Sequence, residues 1–153
     1  MPIARVAGGQ QHSLFLHAKG DLVCACGQGD KGQLGIDPKI VEANKKGGGV
    51  GGIRTPLLVA FPNRDHTNMD EIGRIVGITC GENHSLAWTT TGKLYSWGYG
   101  EYGQAGNNPN LKGNDQDIKQ PRLNDSWLDG KGEVVTYHAS GGSQHSVVVA
   151  TKY

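Results

Sequence analysis

The chain has little from which to build a membrane anchor, a disulfide framework or a metal cluster. Met1 to Val6 lacks the apolar core of a signal peptide, and no apolar run approaches the length of a bilayer span. Cys24, Cys26 and Cys80 are the only cysteines, an odd number that makes no paired framework, and none of them forms the C-x₂-C spacing typical of zinc sites. Cys24 and Cys26 fall in a predicted strand, where residues two apart share a face. All three read as reduced, semi-buried thiols of an intracellular protein. Charge of one sign is also missing: 15 basic against 14 acidic residues leave a net charge of +1. That balance argues against a dedicated nucleic-acid or membrane surface. Lys39, Lys45, Lys46 and Arg54 are interleaved with Asp37 and Glu42, the pattern of a solvated loop. No segment keeps apolar residues at helical spacing for three turns, so little or no helix is expected.

Glycine, in contrast, is abundant, with 25 residues in 153, and it is placed in repeats. Gly9-Gln10-Gln11-His12-Ser13-Leu14 recurs as Gly81-Glu82-Asn83-His84-Ser85-Leu86, and again as Gly142-Ser143-Gln144-His145-Ser146-Val147. A second block, Gly27-Gln28-Gly29-Asp30-Lys31-Gly32-Gln33-Leu34-Gly35, answers to Gly98-Tyr99-Gly100-Glu101-Tyr102-Gly103-Gln104-Ala105-Gly106. The repeat histidines are 72 and then 61 residues apart, room for four short strands and their turns. Such self-similarity marks an architecture of stacked units. In the middle unit, β-branched and aromatic runs bounded by Gly, Pro and Asn predict strands at Leu57–Phe61, Ile75–Cys80, Ser85–Thr89 and Leu94–Trp97. Thr90-Thr91-Gly92-Lys93 between the last two supplies the glycine a hairpin needs for a positive φ.

Repetition also decides how the chemistry-bearing residues are read. His12, His84 and His145 occupy equivalent positions; a catalytic histidine is needed once, whereas a stabilising hydrogen bond is needed in every unit. Ser13, Ser85 and Ser146 each follow one of them, but neighbours on a strand point to opposite faces, which separates each adjacent Ser–His pair. Gly27-x-Gly29-x-x-Gly32 and Gly98-x-Gly100-x-x-Gly103 match a dinucleotide-binding fingerprint that works only with a helix N-terminus behind it. The residues after Gly32 predict no long helix, and the motif recurs with the repeat. Lys45 to Gly52 lacks the Gly-Lys-Ser/Thr of a phosphate loop, and Asp115-Gln116-Asp117 lacks the glycine and terminal glutamate of a calcium loop. No catalytic, cofactor-binding or metal residue is assigned.

These motifs resemble the repeat of the regulator of chromosome condensation 1 (RCC1) superfamily. The resemblance rests on Gly-x-x-His-Ser, a hairpin glycine, Leu94-Tyr95-Ser96-Trp97-Gly98, and Tyr102-Gly103-Gln104-x-Gly106, with Cys26 standing in the first unit where Trp97 stands in the second. It implies an all-β fold of four-stranded antiparallel blades, as in the seven-bladed propellers of that family. The chain would hold roughly two blades and the start of a third, an incomplete propeller. One repeat region over 1–153 is expected, with units near 3–55, 56–120 and 121–153. Gly9, His12, Gly32, Gly35, Gly81, His84, Trp97, Gly98, Gly103, Gly106, Gly142 and His145 are the expected structural positions.

An uncapped array exposes apolar blade faces at its ends, so further blades or another chain are expected to cover them; a piece of a larger propeller, self-assembly, or docking on a large complex would each do so. The resemblance implies two functional readings. One is a non-enzymatic protein-interaction module in a larger intracellular assembly, cytoplasmic, nuclear or cytoskeletal, with contacts through Ile36–Thr55, Pro62–Ile72 and Asn107–Asp129 and with Trp127 as a candidate anchor. The other is guanine-nucleotide exchange on a Ran-like small GTPase, which works by stabilising the nucleotide-free state and needs no cofactor.

Overall fold

The computed structural model describes residues 1–46, 52–62, 72–106, 117–124 and 133–153. The first sheet contains β1 (Ile3–Gly8), β2 (His12–His17), β3 (Val23–Gln28) and β4 (Gly52–Leu58), antiparallel and in that order. The second repeats the pattern with β5 (Ile75–Cys80), β6 (His84–Thr89), β7 (Leu94–Gly98) and β8 (Ile118–Leu123). β9 (Val134–Gly141) and β10 (Ser146–Lys152) form a third, two-stranded sheet. β1 and β2 pack on β5, and β5 and β6 pack on β9. The protein is therefore a partial propeller, two blades followed by the inner pair of another.

The middle blade shows why the core needs neighbours on both sides. Every residue of β6 is buried, because the first blade covers one face and β9 the other. Leu14, Val23, Leu34, Ile36, Ile75 and Trp97 belong to the larger core cluster, and Leu86, Trp88, Leu94 and Ala139 to a second one. On β10, Val147 is 56% exposed and Val149 57% exposed, so the apolar run there is covered on one face only. The hairpin glycines fasten successive blades. Gly20 and Gly92 have φ of 70° and 77°, and their carbonyls accept the Ile75 and Thr136 N–H groups at 2.8 and 2.9 Å. A Cβ on Gly92 would stand 2.5 Å from Val135 Cγ1, so this position excludes a side chain on both counts.

Two sequence expectations change. The strand placed at Leu57–Phe61 runs instead from Gly52 to Leu58, and it completes the first sheet by pairing Leu57 with Ala25 and Leu58 with Cys24. A β-branched run marks a strand but does not name its partner, so the sequence unit and the blade are offset by one strand. Pro56 and Pro121 fit this assignment, since β4 and β8 are edge strands where a missing N–H is tolerated. The second change is α1 (Pro38–Lys46), a nine-residue helix within the stretch read as a solvated loop. Pro38 takes the first helical position and Asp37 caps it, its Oδ1 accepting the Lys39 N–H at 2.9 Å. Val41 packs against the core. The helix is too short for a three-turn periodicity test to register.

Candidate functional site

Each Gly-x-x-His motif closes a tight turn. The glycine N–H donates to the histidine carbonyl at 2.9 Å for Gly9 and His12, 2.9 Å for Gly81 and His84, and 2.8 Å for Gly142 and His145. The turn folds the imidazole back over its own glycine, and a Cβ on Gly9, Gly81 or Gly142 would overlap that ring. Only glycine leaves room for it. Equivalent turns are also tied across blades, with the Gln10 N–H donating to the Glu82 carbonyl at 3.0 Å and the Glu82 N–H to the Ser143 carbonyl at 3.2 Å.

The folded imidazole then reaches into the next blade. His12 Nε2 lies 2.9 Å from Ser85 Oγ, and His84 Nε2 lies 2.9 Å from Ser146 Oγ. Each serine hydroxyl donates onward to a main-chain carbonyl of the preceding blade: Ser85 to Gln33 at 2.9 Å and Ser146 to Gln104 at 2.7 Å. With the serine proton committed, the imidazole Nε2–H is the donor to Oγ, which assigns the tautomer from the network. Nδ1 of His12 and of His84 is buried with no hydrogen-bond partner among the described residues. Burial first, and the neighbouring His84 second, push the His12 pKa down to about 4. His84 also falls to about 4, again chiefly through burial; main-chain contact with His145 opposes the shift and the His145 ring adds to it.

Neighbours on a strand point apart, which separates each serine from its adjacent histidine, whereas the fold joins His12 and His84 to the serine of the following copy. Even so, the proton polarity is the reverse of that in a nucleophilic pair, where the imidazole must accept from the hydroxyl. As arranged, the seam holds blades together and does not activate serine.

The glycine-rich turns supply the other half of the seam. Gly32, Gly35, Gly98, Gly103 and Gly106 all have positive φ. Within the turns the Gln33 and Gln104 side chains accept the Lys31 and Tyr102 N–H groups at 2.9 Å each, leaving their own main-chain carbonyls free to face the neighbouring blade. Trp97, fully buried, donates its indole N–H to the Gln33 carbonyl at 2.9 Å. Its ring lies over Gly35, where a Cβ would stand 2.7 Å from Nε1. Cys26 takes the equivalent place opposite Ser13 and is half-buried. His145 is exposed. Trp127 lies outside the described residues, as do most of Pro62–Ile72 and Asn107–Asp129.

An exposed cluster escaped the sequence reading. Lys31 Nζ sits 5.0 Å above the Tyr99 ring, Tyr99 and Tyr102 meet edge to face with centroids 6.1 Å apart, and the Tyr99 hydroxyl bonds the Glu101 carboxylate. Tyr102 is 63% exposed. These residues lie in the matching turns of two blades, at positions where the copies differ (Gln28 against Tyr99, Lys31 against Tyr102); that difference was the available signal. Among the described residues no group of three His, Cys, Asp or Glu side chains could hold a metal ion, and no helix is long and apolar enough to cross a membrane. The three cysteines are free, and burial pushes the Cys80 thiol up to about 12.

Family models of the regulator of chromosome condensation (RCC1) repeat match residues 21–88 and 91–149, and another model of the same description matches 75–104. The protein pim1 of Schizosaccharomyces pombe is 31% identical over an alignment of 150 residues that covers 95% of this chain and 24% of that protein. The ultraviolet-B receptor UVR8 of Arabidopsis thaliana is 30% identical over 117 residues, 76% of this chain and 21% of that one. Among solved structures, Prp20p of Saccharomyces cerevisiae, studied for its binding to Gsp1p and histones, superimposes with a TM-score of 0.76 at 23% identity. That superposition covers 99% of this chain and 31% of Prp20p. The chain thus spans about a quarter of the relatives and about a third of the structure it matches.

Proposed function

Since the chain belongs to the regulator of chromosome condensation (RCC1) repeat family, we propose that it is a protein-interaction module that works by presenting a surface and not by covalent chemistry. The observation that carries this reading is the division of labour along the repeat. The repeated polar groups are consumed internally at both seams, His12 and His84 by serine and each serine by a carbonyl, and at the first seam the Trp97 indole shares that carbonyl. The Lys31–Tyr99–Tyr102 cluster is one copy's departure from the other, is largely solvent-facing, and has the amphipathic aromatic character favoured at protein interfaces. The partner in this reading is a protein of an intracellular assembly, met by that cluster.

The test is quantitative capture of cellular proteins by the chain and by its Lys31→Glu/Tyr102→Ala variant. Loss of captured partners with an unchanged melting temperature supports the surface; identical capture refutes it.

The likeness to Prp20p, a protein that binds Gsp1p, favours a second reading: guanine-nucleotide exchange on a Ran-like GTPase. Here the chain would hold the nucleotide-free GTPase more tightly than the loaded one, catalysis by differential binding. Release of labelled GDP from a purified Ran-type GTPase, with the chain at sub-stoichiometric concentration, measures this directly. No acceleration over the intrinsic rate removes the exchange reading.

A further inference from the structure

A cavity of about 170 Å³ opens where the glycine-rich turn of the first blade, α1 and β8 of the second blade meet. Its floor is apolar. Leu34 and Ile36, 1% and 2% exposed, come from the turn, and Val41 comes from α1. Gly29 lies beneath them, where a Cβ would stand 3.0 Å from Leu34 Cδ1 and 3.2 Å from Val41 Cγ1. From the second blade, Lys119 lays its stem along Gly32, where a Cβ would meet Lys119 Cδ at 3.1 Å. Sites for cofactors and drug-sized ligands run to about 300–1,000 Å³, so this one has room for a single side chain.

The mouth is acidic. Asp30 of the turn and Glu42 of α1 both line the cavity and are exposed. Lys119 is the one cation among the described lining residues, and its charge is engaged: Nζ lies 3.6 Å from the Asp117 carboxylate and 3.4 Å from the Asp30 carbonyl. Lys31, next to Asp30 in sequence, is turned to the Tyr99 ring. The Gly29 and Gly32 carbonyls already accept the Gly32 and Gly35 N–H groups at 3.1 and 2.9 Å. A guest therefore meets apolar side chains below and carboxylates above.

We propose that this cavity receives an arginine side chain of a partner protein. The methylene stem packs on Leu34, Ile36 and Val41, while the guanidinium stays at the mouth and donates to the Asp30 and Glu42 carboxylates. An anionic guest would face both carboxylates, and a purely apolar one would dehydrate them without compensation. Arginine suits the mouth better than lysine because its planar fork can serve two carboxylates at once and is more weakly hydrated. The inference rests on the reading of the chain as an interaction module and names the chemistry of the partner's anchor. None of Lys31, Tyr99 and Tyr102 lines the cavity, so the exposed cluster and this site are separable.

The test is an amide NMR titration of the isotope-labelled full chain with Nα-acetyl-arginine amide, beside the lysine analogue and the citrulline analogue, which keeps the shape without the charge. Saturable shifts are expected at the amides of Gly29, Gly32, Gly35, Val41 and Glu42. The citrulline analogue should bind about tenfold more weakly or worse, the loss typical of a hydrogen bond to a charged group. Glu42→Gln, at an exposed helix position, should bring arginine close to the citrulline level with the melting temperature unchanged. Val41→Phe, which fills the cavity, should abolish binding of all three. Equal binding of arginine and citrulline, a lysine analogue as tight as arginine, or no saturable shift at these amides overturns the proposal. So does self-association of the chain that the arginine analogue reverses, which would make a second copy the occupant. Tyr102→Ala should leave the titration unchanged, so capture of cellular proteins reads the cluster, this titration reads the cavity, and each can fail alone.

Discussion

Acidification should loosen this protein well above the pH at which carboxylates titrate, because two of its seam histidines are buried as neutral donors. His12 and His84 have pKa values near 4 in the folded protein against 6.5 when free. Between those values the unfolded chain binds a proton at each site and the folded chain does not, so stability falls as the pH drops from about 6.5 towards 4 and levels off below it. Each site contributes about 1.4 kcal/mol per pH unit inside the window, or about 2.7 kcal/mol per unit for the pair. The whole descent costs about 3 kcal/mol per histidine, a large part of the 5–15 kcal/mol that holds a typical domain folded. The structural cause is burial: a second proton must go on Nδ1, which is buried and has no hydrogen-bond partner among the described residues. Urea denaturation at pH 7.5, 6.5, 5.5 and 5.0 measures the slope above the range of ordinary carboxylates. His84→Gln keeps an N–H donor near the Nε2 position without a titrating group, and should roughly halve the slope. A stability that stays flat between pH 6.5 and 5.0 in the parent chain would refute the assignment of His12 and His84 as neutral seam donors.

The same seam gives further expectations. Gly81→Ala places a methyl group against the His84 ring and the Gly142 carbonyl oxygen; because one obstacle is main chain, a loss of about 2–3 kcal/mol is expected in chemical denaturation, and adding His84→Ala should restore only part of it. Trp97→Phe removes the indole N–H donated to Gln33 and leaves a small void, so about 2–3 kcal/mol should be lost. Cys80, with its thiol pushed up to about 12 by burial, should react with a maleimide at pH 7 only as fast as the chain opens, a rate visible by mass spectrometry at increasing urea. Asp37→Ala removes the cap of α1 and should cost about 1 kcal/mol while leaving both seams intact.

The sequence reveals what is repeated and conceals what the repeats share between them. The glycine, histidine and glutamine blocks were legible as blades because the same local turn is written more than once, and a turn is decided by residues a few positions apart. Which serine each histidine meets was not legible. His12 and Ser85 are 73 residues apart, and His84 and Ser146 62, so the pairing is chosen by how blades stack and not by any local pattern. The same cause hid the true place of β4, whose residues announce a strand but whose neighbour β3 is separated from it by α1. The helix itself is nine residues long, and its clearest signal was a cap, Asp37-Pro38, and not a periodicity.

Repetition also separates architecture from function, and this constrains how any partner surface can be tested. Residues common to the copies are bound to one another across the seams, so altering them changes the relative placement of whole blades. Residues that differ between copies are carried on that frame. Lys31 of the first blade reaches Tyr99 of the second, and Lys119 of β8 reaches the Asp30 carbonyl at 3.4 Å. The surface formed by these residues exists only while the seam between the two blades is closed. A seam variant that loses a partner therefore says nothing about where the partner sits, since it dismantles every surface that spans two blades at once. Only substitutions at non-repeating, solvent-facing positions, with the acid slope and the melting temperature preserved, can locate the interface. By that criterion Tyr102, 63% exposed and replaced by lysine in the other copy, is the most informative single residue to change.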